Sequence, residues 1–438
     1  MNIDPGVEAA LQRAWHRDSA ESSLDRWLQL CRRNGWGRMP RDLPMLVEVF
    51  GASWYFTRFV FSRGRNIVPL FDNRAPVAAQ VPALTETLLA ALPQGAVADR
   101  LDALRVAKNE LMLRILIEYL AGRLDQARTE ARLTMLAEAV LALVMELFEL
   151  DPRRAGCQVA VLGMGRLAGR EMTFGSDLDL IFLYQGNDAC ESPAFARKVR
   201  LLLRNIAGLT PEGILYDVDM RLRPHGTAGA LITSRNSFIE YHAAPRDTWE
   251  RQVMTRCRAV YDPSGLGAET LERVLPGVYA RYDARALAQD IRSMRMRVET
   301  ELGRPRGKFE LKRGRGGIMD VDFCAHYLQL GHGWELPALQ VCSTREALRA
   351  GAGAGLLKSG IAASLLRGYE HLRRMESCLR LFDLNSTSAF SEHSRAVPAL
   401  ARAMGYGDGD VEAMMREYRE VTTATRAQFE AILGSEDK

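Results

Sequence analysis

Apolar side chains return every three or four positions through Leu111, Ile115, Leu116, Tyr119, Leu120 and Leu124, the period of an amphipathic helix. The same periodicity runs over residues 5–150. Between 101 and 150 there is no Pro and one Gly, Gly122, and Asp99 is placed to cap a helix start. Residues 71–80, with Asp72, Asn73 and Pro76, read as a connection. The pattern changes near Asp151-Pro152. Residues 159–162 and 178–184 are short apolar runs of buried-strand character, and 195–206 between them reads as a helix. Residues 214–221 alternate, with Leu215, Asp217, Asp219 and Arg221 on one face and Ile214, Tyr216, Val218 and Met220 on the other. The helical period resumes at Ala286, with helices predicted over 287–302, 321–329, 361–383 and 411–432. Gly-rich breaks at 304–317 and 351–355 separate them. The expected fold class is α+β: a central mixed sheet with helices at 152–275, flanked by all-helical regions at 1–151 and 276–438.

Composition narrows the function classes. The chain has 438 residues, 47% apolar and 26% charged, with a net charge of +4, so no global basicity points to nucleic acid. Six of the 58 basic residues are lysine and the rest arginine, a bias that devalues single arginines as signals and raises interest in Lys308 and Lys312. Cys31, Cys157, Cys190, Cys257, Cys324, Cys342 and Cys378 are scattered without a CxxC pair, which predicts reduced thiols in a cytoplasmic protein. The start Met1-Asn2-Ile3-Asp4-Pro5 has no secretory pattern, and no segment has the apolar length of a membrane span.

The chemistry concentrates in Gly175-Ser176-Asp177-Leu178-Asp179, which leads into the second apolar run. On a strand, residues two apart face the same way, so Asp177 and Asp179 project together. Two such charges repel unless cations lie between them, and hard oxygen donors suit Mg²⁺. Gly175-Ser176 leaves room for a phosphate. Upstream, Gly163-Met164-Gly165-Arg166 follows a strand and offers backbone N–H groups to a triphosphate. That order, strand, Gly turn and paired carboxylates, is the arrangement of a nucleotidyltransferase. A site for two Mg²⁺ ions needs a third carboxylate on a neighbouring strand. Asp219 is the first candidate and Asp217 the second.

Further residues surround this centre. Arg221 and Arg223 sit where planar guanidinium forks meet phosphate oxygens. His225 reads as structural. Trp249-Glu250 offers Glu250 as a carboxylate behind the metal ligands, or else a helix with Trp249 in the core. The basic, Gly-rich stretch from Lys308 through Lys312 to Gly317 is a phosphate cradle. Asp320 and Asp322 after it either support the site from behind or simply favour a helix dipole. Gly405-Tyr406-Gly407-Asp408-Gly409-Asp410 mimics the acidic motif, but no strand follows, so it reads as a polar turn before a helix.

Together these residues resemble the glutamine synthetase adenylyltransferase (glutamate–ammonia-ligase adenylyltransferase) family of polymerase-β-like nucleotidyltransferases. The likeness rests on Gly163-Met164-Gly165-Arg166-Leu167 through Asp179, Gly213-Ile214-Leu215-Tyr216-Asp217-Val218-Asp219 through Pro224, Trp249-Glu250, and Lys312 through Phe323. The resemblance implies ATP as substrate, Mg²⁺ as cofactor, a tyrosine of glutamine synthetase as acceptor, and the PII signalling protein as a regulatory partner, with no membrane or nucleic acid involved. The family's usual members carry two halves, one attaching AMP and one removing it by phosphorolysis. This chain has one. Gly175-Ser176-Asp177-Leu178-Asp179, Gly213-Ile214-Leu215-Tyr216 and Met319-Asp320-Val321-Asp322 are similar to the attaching half. Gly163-Met164-Gly165 and Val218-Asp219-Met220-Arg221 are similar to the removing half, which leaves direction open, as it leaves another acceptor open. The chain departs from the family at Arg166 for Lys, Ala168 for Gly and Asp322 for Glu.

Overall fold

The computed structural model describes residues 4–36, 39–72, 76–150, 157–186, 193–243, 247–303, 308–382, 384, 387–391, 393–394 and 396–434. It is α+β, a small mixed sheet carried by many helices. The change of pattern at Asp151-Pro152, the Asn73 part of the first connection, and Arg304 and Arg306 lie outside the described residues.

The N-terminal third is helical, as its periodicity requires. Its last two helices, Val97–Leu120 and Gln126–Leu147, turn at Gly122, whose φ of 68° favours a residue without a Cβ. Asp125 caps the second through its side chain, which accepts from the Arg128 N–H at 2.8 Å. Asp99 does not cap the first. That helix starts one turn earlier, with Ala96 at the cap and Asp99 inside the first turn, where its charge suits the helix dipole.

Strands β1 (Cys157–Met164), β2 (Leu178–Gly186), β3 (Val218–Asp219), β4 (Ile232–Ser234) and β5 (Cys257–Tyr261) form the sheet. β1 lies between β2 and β5, antiparallel to both; β3 and β4 both pair parallel with β2. The apolar runs fill β1 and β2, whose side chains are buried on both faces. The alternation at 214–221 overstates its strand. Only Val218 and Asp219 pair, because Leu215 and Tyr216 are both buried and both N–H groups donate to the Ile206 carbonyl, which ends the Pro193–Ala207 helix.

The C-terminal third holds helices Ala284–Leu302, Ile318–His332, Thr344–Gly353, Ser359–Leu381, Val397–Met404 and Val411–Leu433. It is not purely helical: β6 (Phe309–Glu310) and β7 (Ala389–Phe390) form a two-residue ladder. The expected break at 351–355 is the end of a helix that Ser343 caps, and Gly355 follows at φ 74°. The 405–410 segment is the polar turn expected, with Asp410 capping the last helix. No described helix is long and apolar enough to cross a membrane. Cys31, Cys257, Cys324, Cys342 and Cys378 are free thiols, but Cys157 is disulfide-bonded, which corrects the expectation of seven reduced cysteines. Count and spacing say nothing about which thiols the fold brings together.

A buried ion-pair network joins the three thirds. Glu130 accepts from Arg345 and Arg373; Glu171 meets Arg166, Arg256 and Arg345; Asp322 meets Arg166 and Arg256; Glu376 meets Arg373 and Arg380. Burial alone would raise the Glu376 carboxyl, but Arg380, Arg373 and Lys312 outweigh it and hold the group down to about 2. An unfolded glutamate titrates near ~4.3. A folded value below the unfolded one adds stability that is complete above roughly pH 5 and is lost as pH falls through 4 towards 2. Urea midpoints should therefore fall between pH 6 and pH 3.5, and Glu376→Gln should be less stable at pH 7 with a flatter acid limb. An equally steep limb in that variant would remove Glu376 from the account.

Candidate active site

The site forms where β1, β2 and β3 end together. Asp179 lies directly opposite Asp219 in the parallel β2–β3 pair, and Asp177 precedes β2 by one residue. Gly175 turns the chain at φ 68°. Ser176 closes that turn: its Oγ accepts from the Thr173 N–H at 2.9 Å, and its own N–H donates to the Thr173 carbonyl. The Leu178 N–H donates to the Asp217 carbonyl at 2.8 Å and fixes where β2 begins.

The carboxylates feel each other. Burial first, then Asp219, push Asp179 up to about 6, with Asp177 adding to the rise and Lys312 and Arg221 opposing it. Asp177 is raised by partial desolvation and by Asp217, against Arg380 and Lys312. Asp219 goes the other way, because Arg221 hydrogen-bonds it. The Arg221 N–H and Nε both donate to it, at 2.8 Å in each case. Among the described residues no three acidic, His or Cys side chains converge tightly enough to form a ready-made ion cage. Asp219 is turned onto Arg221. The donor chemistry nevertheless fits a hard divalent ion: three carboxylates, two of them in register and resisting joint ionisation.

Gly163 and Gly165 are both required by tight packing. A Cβ on Gly163 would lie 2.6 Å from Val260 and 2.9 Å from Leu167. The Gly165 N–H is already bonded to the Arg256 carbonyl at 3.0 Å. Gly165 has φ 55°, and a Cβ there would come within 2.8 Å of Asp179 Oδ2. Gly165→Ala should therefore cost about 1–2 kcal/mol of backbone strain and displace the Asp179 carboxylate. The measurable outcome is a lower melting temperature with at least about tenfold slower nucleotidyl transfer. Wild-type turnover in that variant would show that the room is not needed.

The other expected residues divide. Lys312 faces Asp177 and Asp179 from the C-terminal third, and burial holds its proton affinity down. Arg221 belongs to the site through Asp219. Arg223 instead staples its own loop, donating to the carbonyls of Met220, Thr227 and Gly229. Arg166 does not reach out to a phosphate: its guanidinium is held inside by Asp322 at 2.8 Å, Glu171 at 3.0 Å and the Tyr369 hydroxyl. Asp322 is spent on Arg166, Arg256 and Thr344. Asp320 is spent on Arg295, Arg426 and the Gly316 N–H. Neither supports the carboxylate trio directly. Glu250 accepts from the Tyr241 hydroxyl and lines a different cavity, with His242 and Met254. Trp249 is exposed, not core. His225 packs edge-on against Tyr241, a structural role as read.

Sequence reasoning missed Arg380. It lies one turn beyond Glu376 on the Ser359–Leu381 helix, donates to Glu376 at 2.8 Å, and reaches towards Thr173 Oγ1 at 3.3 Å beside Asp177. In a chain this rich in arginine, nothing local marked it.

Comparison with known proteins adds the family. A model described as glutamate-ammonia ligase adenylyltransferase matches residues 43–273, and one described as GlnD PII-uridylyltransferase matches residues 286–433. A protein of Rhodopseudomonas palustris named bifunctional glutamine synthetase adenylyltransferase/adenylyl-removing enzyme is 31% identical over 459 residues, covering 99% of this chain and 46% of its own length. Proteins with the same name from Chromobacterium violaceum (31%, covering 83% of this chain and 41% of theirs) and Streptomyces avermitilis (32%, 75% and 34%) are similar. The chain thus spans less than half the length of the curated relatives it matches.

Proposed function

The chain belongs to the glutamate–ammonia ligase adenylyltransferase family, and from that membership we propose that it transfers AMP from ATP to a tyrosine hydroxyl of glutamine synthetase. The observation that carries the reading is the register of Asp179 against Asp219 with Asp177 beside them. Asp177, Asp179 and Asp219 would hold two Mg²⁺ ions. When bound, these ions supply Lewis-acid polarisation of the α-phosphate and charge relief for the leaving pyrophosphate. Lys312 and Arg380 place positive charge beside the same carboxylates and neutralise phosphate oxygens. Asp219, released from Arg221, favours loss of the tyrosine proton, and Arg221 becomes available to phosphate. Gly175 and Ser176 leave the backbone open for the nucleotide to approach. The central sheet, 152–275, carries this chemistry; the helical sections, 1–151 and 276–438, hold it and meet the protein substrate. The likeness of 286–433 to a PII-uridylyltransferase supports the PII protein as a regulatory partner. The nucleotide supply places the work in the cytoplasm.

The reverse reading, phosphorolytic removal of AMP, is favoured by Gly163-Met164-Gly165 and Val218-Asp219-Met220-Arg221. One assay separates the two. With α-labelled ATP, Mg²⁺ and glutamine synthetase, attachment puts label on the partner. With pre-modified partner, removal releases ADP only when phosphate is added. Neither product would overturn both.

A further inference from the structure

Lys108 lies on the inner side of the Val97–Leu120 helix, 3% exposed. No hydrogen bond or ion pair reaches it from the described residues. Its Nζ stands 5.3 Å from the centre of the Tyr216 ring, and the charge that bears on it is the like charge of Arg105. Burial, then Arg105, pull its proton affinity down to about 7. Arg105 is itself occupied, by Asp102 at 2.8 Å and the Asn205 carbonyl at 2.7 Å. The neighbouring Asn109 is engaged by the Tyr55 hydroxyl at 2.9 Å. An unmatched buried ammonium is costly, and the reaction proposed above makes no use of it.

A cavity of about 90 Å³ opens beside this ammonium. Met112, Leu133, Met172 and the Tyr216 ring give it apolar walls, and Gly175 and Ser176 close another side. Asp217 reaches it from an exposed position at the rim.

We propose that this cavity binds a small monocarboxylate with an apolar body, its carboxylate taken by Lys108 and its body packed among Met112, Leu133 and Met172. The charge argument selects the class. A neutral guest leaves the ammonium unmatched. A dianionic phosphate brings a second charge, and Lys108 is the one cation among the described residues that line the cavity. A guest ammonium inside the cavity meets the like charges of Lys108 and Arg105, and Asp217 offers it a partner only at the rim. The occupant presses on the Gly175–Ser176 turn, so it bears on the placement of Asp177 from behind. The inference goes beyond the proposed reaction and does not depend on it.

Calorimetric titration of the full chain with benzoate and with benzyl alcohol, its neutral counterpart, tests this at pH 6.5. Benzoate should bind at least about tenfold tighter, the worth of one charge-assisted hydrogen bond. Lys108→Met, which keeps the side-chain length and removes a buried charge, should fold and lose the preference. Met112→Trp, which fills the cavity, should bind neither. Equal binding of the two probes, no binding of benzoate, or undiminished benzoate binding in either variant would overturn the proposal.

Discussion

Asp177→Asn should cut AMP transfer by at least about a thousandfold, or ~4 kcal/mol of barrier at roughly 1.36 kcal/mol per tenfold. The amide keeps the volume and the loop geometry but withdraws one of the charges that make this corner a cation site. It should not lower stability. Asp177 is exposed, and its charge sits beside Asp217 and Asp219, so losing it relieves repulsion in the free protein. The combination of a dead enzyme and an undiminished melting temperature is what identifies a group whose work is done on bound ions and nucleotide. Activity near wild type would rule out the assignment of Asp177 as a metal ligand. Asp219→Asn should also be inactive, because it withdraws the third carboxylate and with it the group that favours loss of the tyrosine proton.

The largest expected loss of stability follows Glu171→Gln. Glu171 is 1% exposed and lies among arginines of the central and C-terminal thirds. Its Oε2 accepts from Arg166 at 3.0 Å and from the Tyr369 hydroxyl at 2.7 Å; its Oε1 accepts from the Ser343 hydroxyl at 3.0 Å and the Thr344 N–H at 3.1 Å. Arg256 and Arg345 stand within 3.6 Å. Burial would raise this carboxyl, yet the Arg256, Arg166, Arg345 and Arg373 charges together hold it below the usual range. The amide turns a donor towards donors and leaves buried guanidinium charge uncompensated, which costs about 3–5 kcal/mol. A urea titration at pH 7 reads this as a lower midpoint; if the loss exceeds the stability of the whole chain, the variant goes to the insoluble fraction. An unchanged midpoint would mean that the network contributes little and that apolar packing alone joins the three thirds.

The sequence carried the chemistry further than it carried the packing. Asp177, Asp179 and Asp219 could be picked out because carboxylates beside apolar strands are rare and their spacing fixes their direction. The long helices were readable from their 3.6-residue period, and β1 and β2 from apolar runs too short to be helices. Arg166, Asp320 and Asp322 each look like phosphate or metal chemistry beside their neighbours in sequence, while the partners they meet in the fold lie up to 203 residues away. Long-range pairing also decides why Leu215 and Tyr216 leave the strand pattern, since both turn to Ile206. Arg380 and Lys108 had no local signal; only burial and the absence of a described partner for Lys108 distinguish it from the other basic residues.

A crystal of the chain grown with Mn²⁺ and a non-hydrolysable ATP analogue, measured at the manganese edge, tests the central claim most directly. The account predicts anomalous peaks in contact with Asp177, Asp179 and Asp219, Arg221 withdrawn from Asp219, and Lys312 and Arg380 turned to the phosphates. Peaks that avoid these carboxylates, or Asp219 still clasped by Arg221 with nucleotide bound, would contradict it.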